Sequence, residues 1–156
     1  MTTDSRRVTI RKVALRGLAA IGVVAALAGC SPEDRIYVRA EGENLVFKVC
    51  DQFDANDLVV GVSDGNSTDY AATWTATGKV LVTAGTEITY GTAPQGMSAG
   101  GAEPLDPVSE NISFTMHGTV NGSYRTFIAV FLAGSIPEGV WRAQTTDAAN
   151  QADPCA

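Results

Sequence analysis

The chain is short of most of what catalysis draws on. It has one histidine, three cysteines, and aromatic side chains at only 7% of its 156 residues. No Gly-x-Ser-x-Gly turn occurs, so the serine-hydrolase elbow is absent. A histidine-dependent zinc site would need further ligands, and besides His117 the chain offers only carboxylates and thiols. Basic residues are also scarce, eleven Lys and Arg against seventeen Asp and Glu, for a net charge of -6. Nucleic-acid phosphates demand a positive patch, so no nucleic-acid partner is expected. No long hydrophobic run is present either. The longest small-apolar stretch, Gly17 to Ala28, would span only ~18 Å as a helix against a hydrocarbon core of ~30 Å.

What is present at the N-terminus has a definite order. Arg6, Arg7, Arg11, Lys12 and Arg16 precede that apolar stretch, which ends in Leu27-Ala28-Gly29-Cys30. A basic head stays on the cytoplasmic side while the apolar segment enters the translocation path. The Leu-Ala-Gly-Cys cluster resembles the lipobox of bacterial lipoprotein precursors. That resemblance implies a signal peptide over residues 1–29, cleavage before Cys30, and lipid attached to that cysteine. Membrane lipid held through Cys30 would then fix the chain to the extracytoplasmic face of the cell membrane. Ser5-Arg6-Arg7-Val8-Thr9-Ile10-Arg11 resembles the twin-arginine signal, with Thr9 where that family prefers phenylalanine. The general secretory route is the favoured expectation.

Removing residues 1–29 leaves 127 residues, enough for one domain with a real core. This part carries six basic and sixteen acidic side chains, a net charge near -10. The linker, residues 30–34, is short. The four residues after Cys30 reach at most ~14 Å, which would hold the domain, residues 35–156, close above the membrane. With Cys30 committed to lipid, Cys50 and Cys155 remain, an even pair that reads as one disulfide in an oxidising compartment. Cys50 shares a face with Lys48, opposite Leu45, Phe47 and Val49, which places the bond at a strand end or rim.

From Arg35 onward the period is two. Ile36, Val38 and Ala40 alternate with Arg35, Tyr37 and Arg39, Leu45, Phe47 and Val49 alternate with Val46 and Lys48, and Leu58, Val60 and Val62 form a third apolar row. Ala72, Trp74 and Ala76 oppose Thr73, Thr75 and Thr77, after which Gly78 is expected to turn the chain into Lys79–Thr83. Ile88 and Tyr90 mark a further short strand. Residues 93–109, with three prolines and three glycines, read as a mobile crossover between sheets. Asn121-Gly122 supplies a type I′ hairpin turn between Ile112–His117 and Tyr124–Leu132. The second of these strands is apolar on both faces, which predicts a central position. Val140–Gln144 ends the series. The expected fold is all-β, an antiparallel two-layer sandwich of about nine strands, immunoglobulin-like in architecture only.

Candidate functional residues are few. His117 falls on the polar parity of its strand and reads as solvent-facing. Asp51, Asp54 and Asp57 lie before the third strand, and Asp64-x-Asn66-x-Thr68 echoes the start of a calcium loop but lacks its sixth-position glycine and twelfth-position glutamate. Trp74 and Trp141, with Tyr37, Tyr90 and Tyr124, read as core in preference to a stacking surface. No catalytic residue, metal site or cofactor is expected. The first expectation is a non-enzymatic binding or accessory module that recognises a membrane-proximal protein or envelope component. The alternatives are a structural envelope lipoprotein without a discrete ligand site, and a carboxylate-dependent hydrolase.

Overall fold

A computed structural model describes residues 36–64, 67–144 and 153–155. Cys30, the signal segment and the linker lie outside the described residues. Among the described residues there are nine strands and no helix: β1 (Ile36–Glu41), β2 (Asn44–Val49), β3 (Phe53–Ser63), β4 (Ala71–Val82), β5 (Thr86–Thr89), β6 (Ser98–Ala99), β7 (Asn111–Val120), β8 (Ser123–Phe131) and β9 (Arg142–Ala143). They form two antiparallel sheets, β5-β2-β1-β9 and β6-β4-β3-β7-β8. The two-layer sandwich and its strand count are as the period-two pattern implies.

Alternation builds the core. Ile36, Val38, Leu45, Phe47 and Val49 of the smaller sheet are buried, as are Leu58, Val60, Trp74, Ile112, Phe114, Met116 and Phe131 of the larger. Phe47 stacks on Phe114 across the layers with ring centroids 4.4 Å apart and planes at 23°. Phe53 meets Phe127 edge-on at 4.9 Å, and Trp74 meets Tyr90 in the same way at 5.9 Å. Offset and edge-on ring pairs suit the aromatic quadrupole and add to the apolar burial.

Four expectations need correction. Gly78 does not turn the chain. β4 runs straight through it as a bulge, with φ +138°, and a Cβ there would lie 2.7 Å from the Gly96 carbonyl. The third strand starts at Phe53, so Asp54 and Asp57 lie within it rather than before it. The 93–109 segment does cross from β5 to β7, but it contains β6, which pairs with β4. Two residues are too few to show a period. Finally, β8 is an edge strand and not a central one. Tyr124, Ile128 and Leu132 remain 66%, 59% and 62% exposed, so its second apolar face is uncovered.

Candidate functional site

The two outer faces of the sandwich differ. On the four-stranded sheet, Trp141 is buried outside the inter-sheet core. The Arg39 guanidinium lies 4.1 Å from its ring centroid and the Lys48 ammonium 5.3 Å. Arg39 and Lys48 both pair with Glu87, and Lys48 also reaches Asp153 at 3.1 Å. Cys155 is bonded to Cys50 at the end of β2, with Cα atoms 5.0 Å apart, so the tail is fastened over this face. The rim position follows from Cys50 sharing the Lys48 parity. The bond joins a strand end to the tail, whereas an immunoglobulin disulfide bridges the two sheets. The Cys155 amide and the Lys48 ammonium together hold the Asp153 carboxyl below the usual carboxylate range.

The five-stranded sheet is open. Its outer face carries Thr75 and Thr77 from β4, Asp57 and Val59 from β3, Thr115 and His117 from β7, and Thr126, Ile128 and Val130 from β8. Register aligns one polar line across all five strands: Thr126 faces His117, His117 faces Asp57, Asp57 faces Thr77, and Thr77 faces Ser98. His117 Nδ1 and Asp57 Oδ1 are 2.5 Å apart and both side chains are about one-third exposed. His117 thus lies on the outer face that its polar parity implies, half-buried, and it has a partner there that the parity does not show. Sequence reasoning missed the pair because its members lie 60 residues apart and meet only through the β3–β7 register.

A bulge makes that register. Between Ala55 and Asp57, β3 carries one extra residue, Asn56, against β7. The exposed Asn56 lies in a groove of about 750 Å³ lined by Asp54, Asn56, Lys79, Leu81 and Thr119. The groove joins opposite charges, Asp54 and Lys79, to an apolar contact, Leu81, which is 53% exposed. A smaller depression of about 340 Å³, bounded by Gln52, Asp54 and Asn121, opens at the same end.

Chemically, an aspartate that holds Nδ1 orients an imidazole for acid–base work at Nε2. Catalysis of that kind also needs a nucleophile at Nε2 and donors for an oxyanion. No described hydroxyl is hydrogen-bonded to the ring. Among the described residues no group of three or more His, Cys, Asp or Glu side chains is placed to hold a metal ion. Asn66 of the Asp64-x-Asn66-x-Thr68 echo lies outside the described residues, and the Ser67 hydroxyl is engaged by the Asp69 amide in a turn. Trp74 and Trp141 are both buried, at 2% and 3%, and offer no stacking surface.

The crossover is tied down beside Trp74. The Tyr90 hydroxyl donates to the Glu103 carbonyl at 2.6 Å, and the Glu103 amide donates to the Thr73 carbonyl. Burial pushes the Tyr90 phenol above its ordinary value. Further along, the Asp106 carboxylate accepts from the Ser109 hydroxyl and the Val108 amide, which keeps it ionised below the usual range. These contacts explain the crossover as a structural strap. Neither a protein-family model, nor a curated protein, nor a solved structure matches the chain.

Proposed function

We propose that this chain is a lipoprotein held on the extracytoplasmic face of the cell membrane through lipid on Cys30, and that it acts as a non-enzymatic binding module. The observation that carries the reading is the asymmetry of the sandwich. One outer face is sealed by Trp141, its cation partners and the disulfide-bonded tail. The other carries exposed Thr75, Thr77, Leu81, Thr126 and Ile128, and a groove lined by Asp54, Lys79 and Leu81. Exposed apolar residues grouped beside a polar rim mark interaction surfaces. The partner is a membrane-proximal protein or envelope component, because the five-residue linker keeps the face near the membrane.

Two measurements test this. Mass spectrometry of the membrane fraction should find a mature chain that begins at acylated Cys30. Cys30→Ala should release the protein while leaving the β fold intact, and an unmodified full-length soluble chain would overturn the anchor. A photo-crosslinker at Thr77 should capture one envelope component reproducibly, and Lys79→Glu should abolish capture without a change in thermal midpoint. Capture equal to that from an exposed site on the sealed side, such as Glu41, would overturn the binding face.

A second reading draws on the Asp57–His117 pair, an oriented base open to solvent. A hydrolase would lose activity at least a hundredfold in His117→Gln. Turnover of ester, amide and glycoside substrates unaffected by that change would remove this reading.

A further inference from the structure

The edges of the two sheets are unequal. β5, β6 and β9 have four, two and two residues, short enough to offer little to an incoming strand. β8 has nine, paired to β7 without a register shift along its length. Long regular edges are normally guarded by lysine, proline, a bulge or an inward-pointing charge. β8 has no lysine, no proline, no bulge and no acidic residue, and its single charge is Arg125. Among the described residues nothing pairs with its outer edge.

The hairpin geometry shows which backbone groups are unspent. Asn121 and Gly122, with φ +50° and +76°, form a two-residue turn closed by Val120 and Ser123. The closing pair of such a turn exchanges both ladder bonds, and hydrogen-bonded pairs then recur at every second residue. Ser123, Arg125, Phe127, Ala129 and Phe131 therefore spend their N–H and C=O groups on β7. Tyr124, Thr126, Ile128 and Val130 direct theirs to the free edge. These same four residues place their side chains on the open outer face, and Tyr124 and Ile128 are largely exposed.

We infer that β8 pairs antiparallel with β8 of a second copy of this chain, joining the two larger sheets into one. Self-pairing about Phe127 sets Tyr124 against Val130 and Thr126 against Ile128 of the other copy. Every unspent donor then meets an unspent acceptor, and apolar side chains adjoin on one face. A two-fold axis requires such a self-complementary patch. Charge favours this approach as well. The chain is acidic overall, so copies repel, and the repulsion is screened beyond ~10 Å at moderate salt. An edge without carboxylates is where two copies meet at least cost. Edge pairing alone buries less than the ~800 Å² per partner of a standard interface. The contact is therefore weak in dilute solution and is populated where copies are concentrated. Anchoring on one membrane would supply that concentration, and in this respect alone the inference rests on the lipoprotein reading.

The test uses the full chain expressed in its host membrane, with Thr126→Cys or Ile128→Cys treated with a short bismaleimide. The expected result is a cross-linked dimer at least tenfold above Thr75→Cys, which lies on the same face in β4, three strands from β8. Thr126→Pro removes an edge-facing N–H and spares the β7 ladder, so the cross-link at Ile128→Cys should fall to background with the circular dichroism unchanged. Ile128→Lys, in a separate sample, should lower sedimentation-detected dimer at high protein concentration in the same way. Yields equal to Thr75→Cys, or yields unaffected by Thr126→Pro, would overturn the inference. A cross-linked band that contains a different protein in place of the second copy would also overturn it. Cell fractionation of the same samples reports the anchor separately. A soluble chain that still dimerises by sedimentation keeps the pairing and removes only the membrane as its concentrating device.

Discussion

Gly118 sits where β7 passes the β3 bulge, and its replacement by alanine tests the geometry that brings Asp57 to His117. A Cβ at this position would lie 2.0 Å from the Asp54 carbonyl oxygen and 2.9 Å from both Ala55 Cα and the Asp54 carbonyl carbon. All three are backbone atoms of a central strand, so no side chain can rotate aside. Relief requires β3 and β7 to separate by more than 1 Å, roughly, to restore ordinary contact distances. Overpacking of this kind costs about 1–3 kcal/mol, and the ladder bonds it stretches cost about 1 kcal/mol each. The lower chain entropy of alanine returns only about 0.4–1 kcal/mol. The net is about 2–4 kcal/mol of destabilisation. For a domain of this length that lowers the thermal midpoint by roughly 6–20 °C.

Calorimetry on the purified protein checks the value, with Gly100→Ala as control because no atom lies within 4 Å of its Cβ position. That control should stay within about 0.5 kcal/mol of the parent. The imidazole resonances of His117 should shift in Gly118→Ala, since the neighbouring residue pairs with Asp57. A midpoint within 2 °C, roughly, of the Gly100→Ala control would refute the argument, given that sensitivity. So would an unaltered His117 environment in a destabilised protein, because the bulge would then not be what sets the pair.

The disulfide closes a separation of 105 residues. In the chain-entropy account its loss in Cys50→Ser/Cys155→Ser costs about 4–5 kcal/mol, read as a lower denaturation midpoint. In that same variant the tail is left to the Lys48–Asp153 ion pair. Because the Asp153 carboxyl is held below its ordinary 3.8, the contribution is complete above that pH and is lost as pH falls through the lower folded value. Protection of the Cys155 amide, its exchange rate relative to that of an unstructured amide at the same pH, should therefore stay constant from neutrality to about pH 4 and fall below it. Phe114→Ala, deep in the core and stacked on Phe47, should cost about 3–5 kcal/mol by equilibrium unfolding. Ile128→Ser on the open face should stay within about 1 kcal/mol, whereas a central β8 would make the two costs comparable.

The fold was legible wherever one face of a strand is covered and the other wet. Ile36 and Val38 against Tyr37 and Arg39, or Phe114 and Met116 against Thr115 and His117, show the period directly, and the buried members are those the alternation picks. β8 defeated the same rule because burial is not the only reason a strand carries apolar residues on both faces. Phe127, Ala129 and Phe131 face the core, while Ile128 and Leu132 are left exposed, and sequence cannot tell covered from exposed. Gly78 misled in the opposite direction. Glycine marks both turns and bulges, and the choice depends on whether a neighbouring strand continues past it, here β3.

The candidate site was less legible for a physical reason that the polar line makes plain. Thr126, His117, Asp57, Thr77 and Ser98 are ordinary residues in their own strands, and only the registers of four ladders bring them into one row. Shifting any ladder by a single residue would turn its side chains to the other face. Asn56 adds such a shift between β3 and β7, so even a correct strand assignment would have paired His117 with the wrong neighbour. The His117–Asp57 pair therefore depends on the Asn56 bulge and on the glycine that lets β7 pass it. Variation at Asn56 or Gly118 should disturb the His117–Asp57 pair more than variation at Thr126 or Thr77, which border the pair without setting its register.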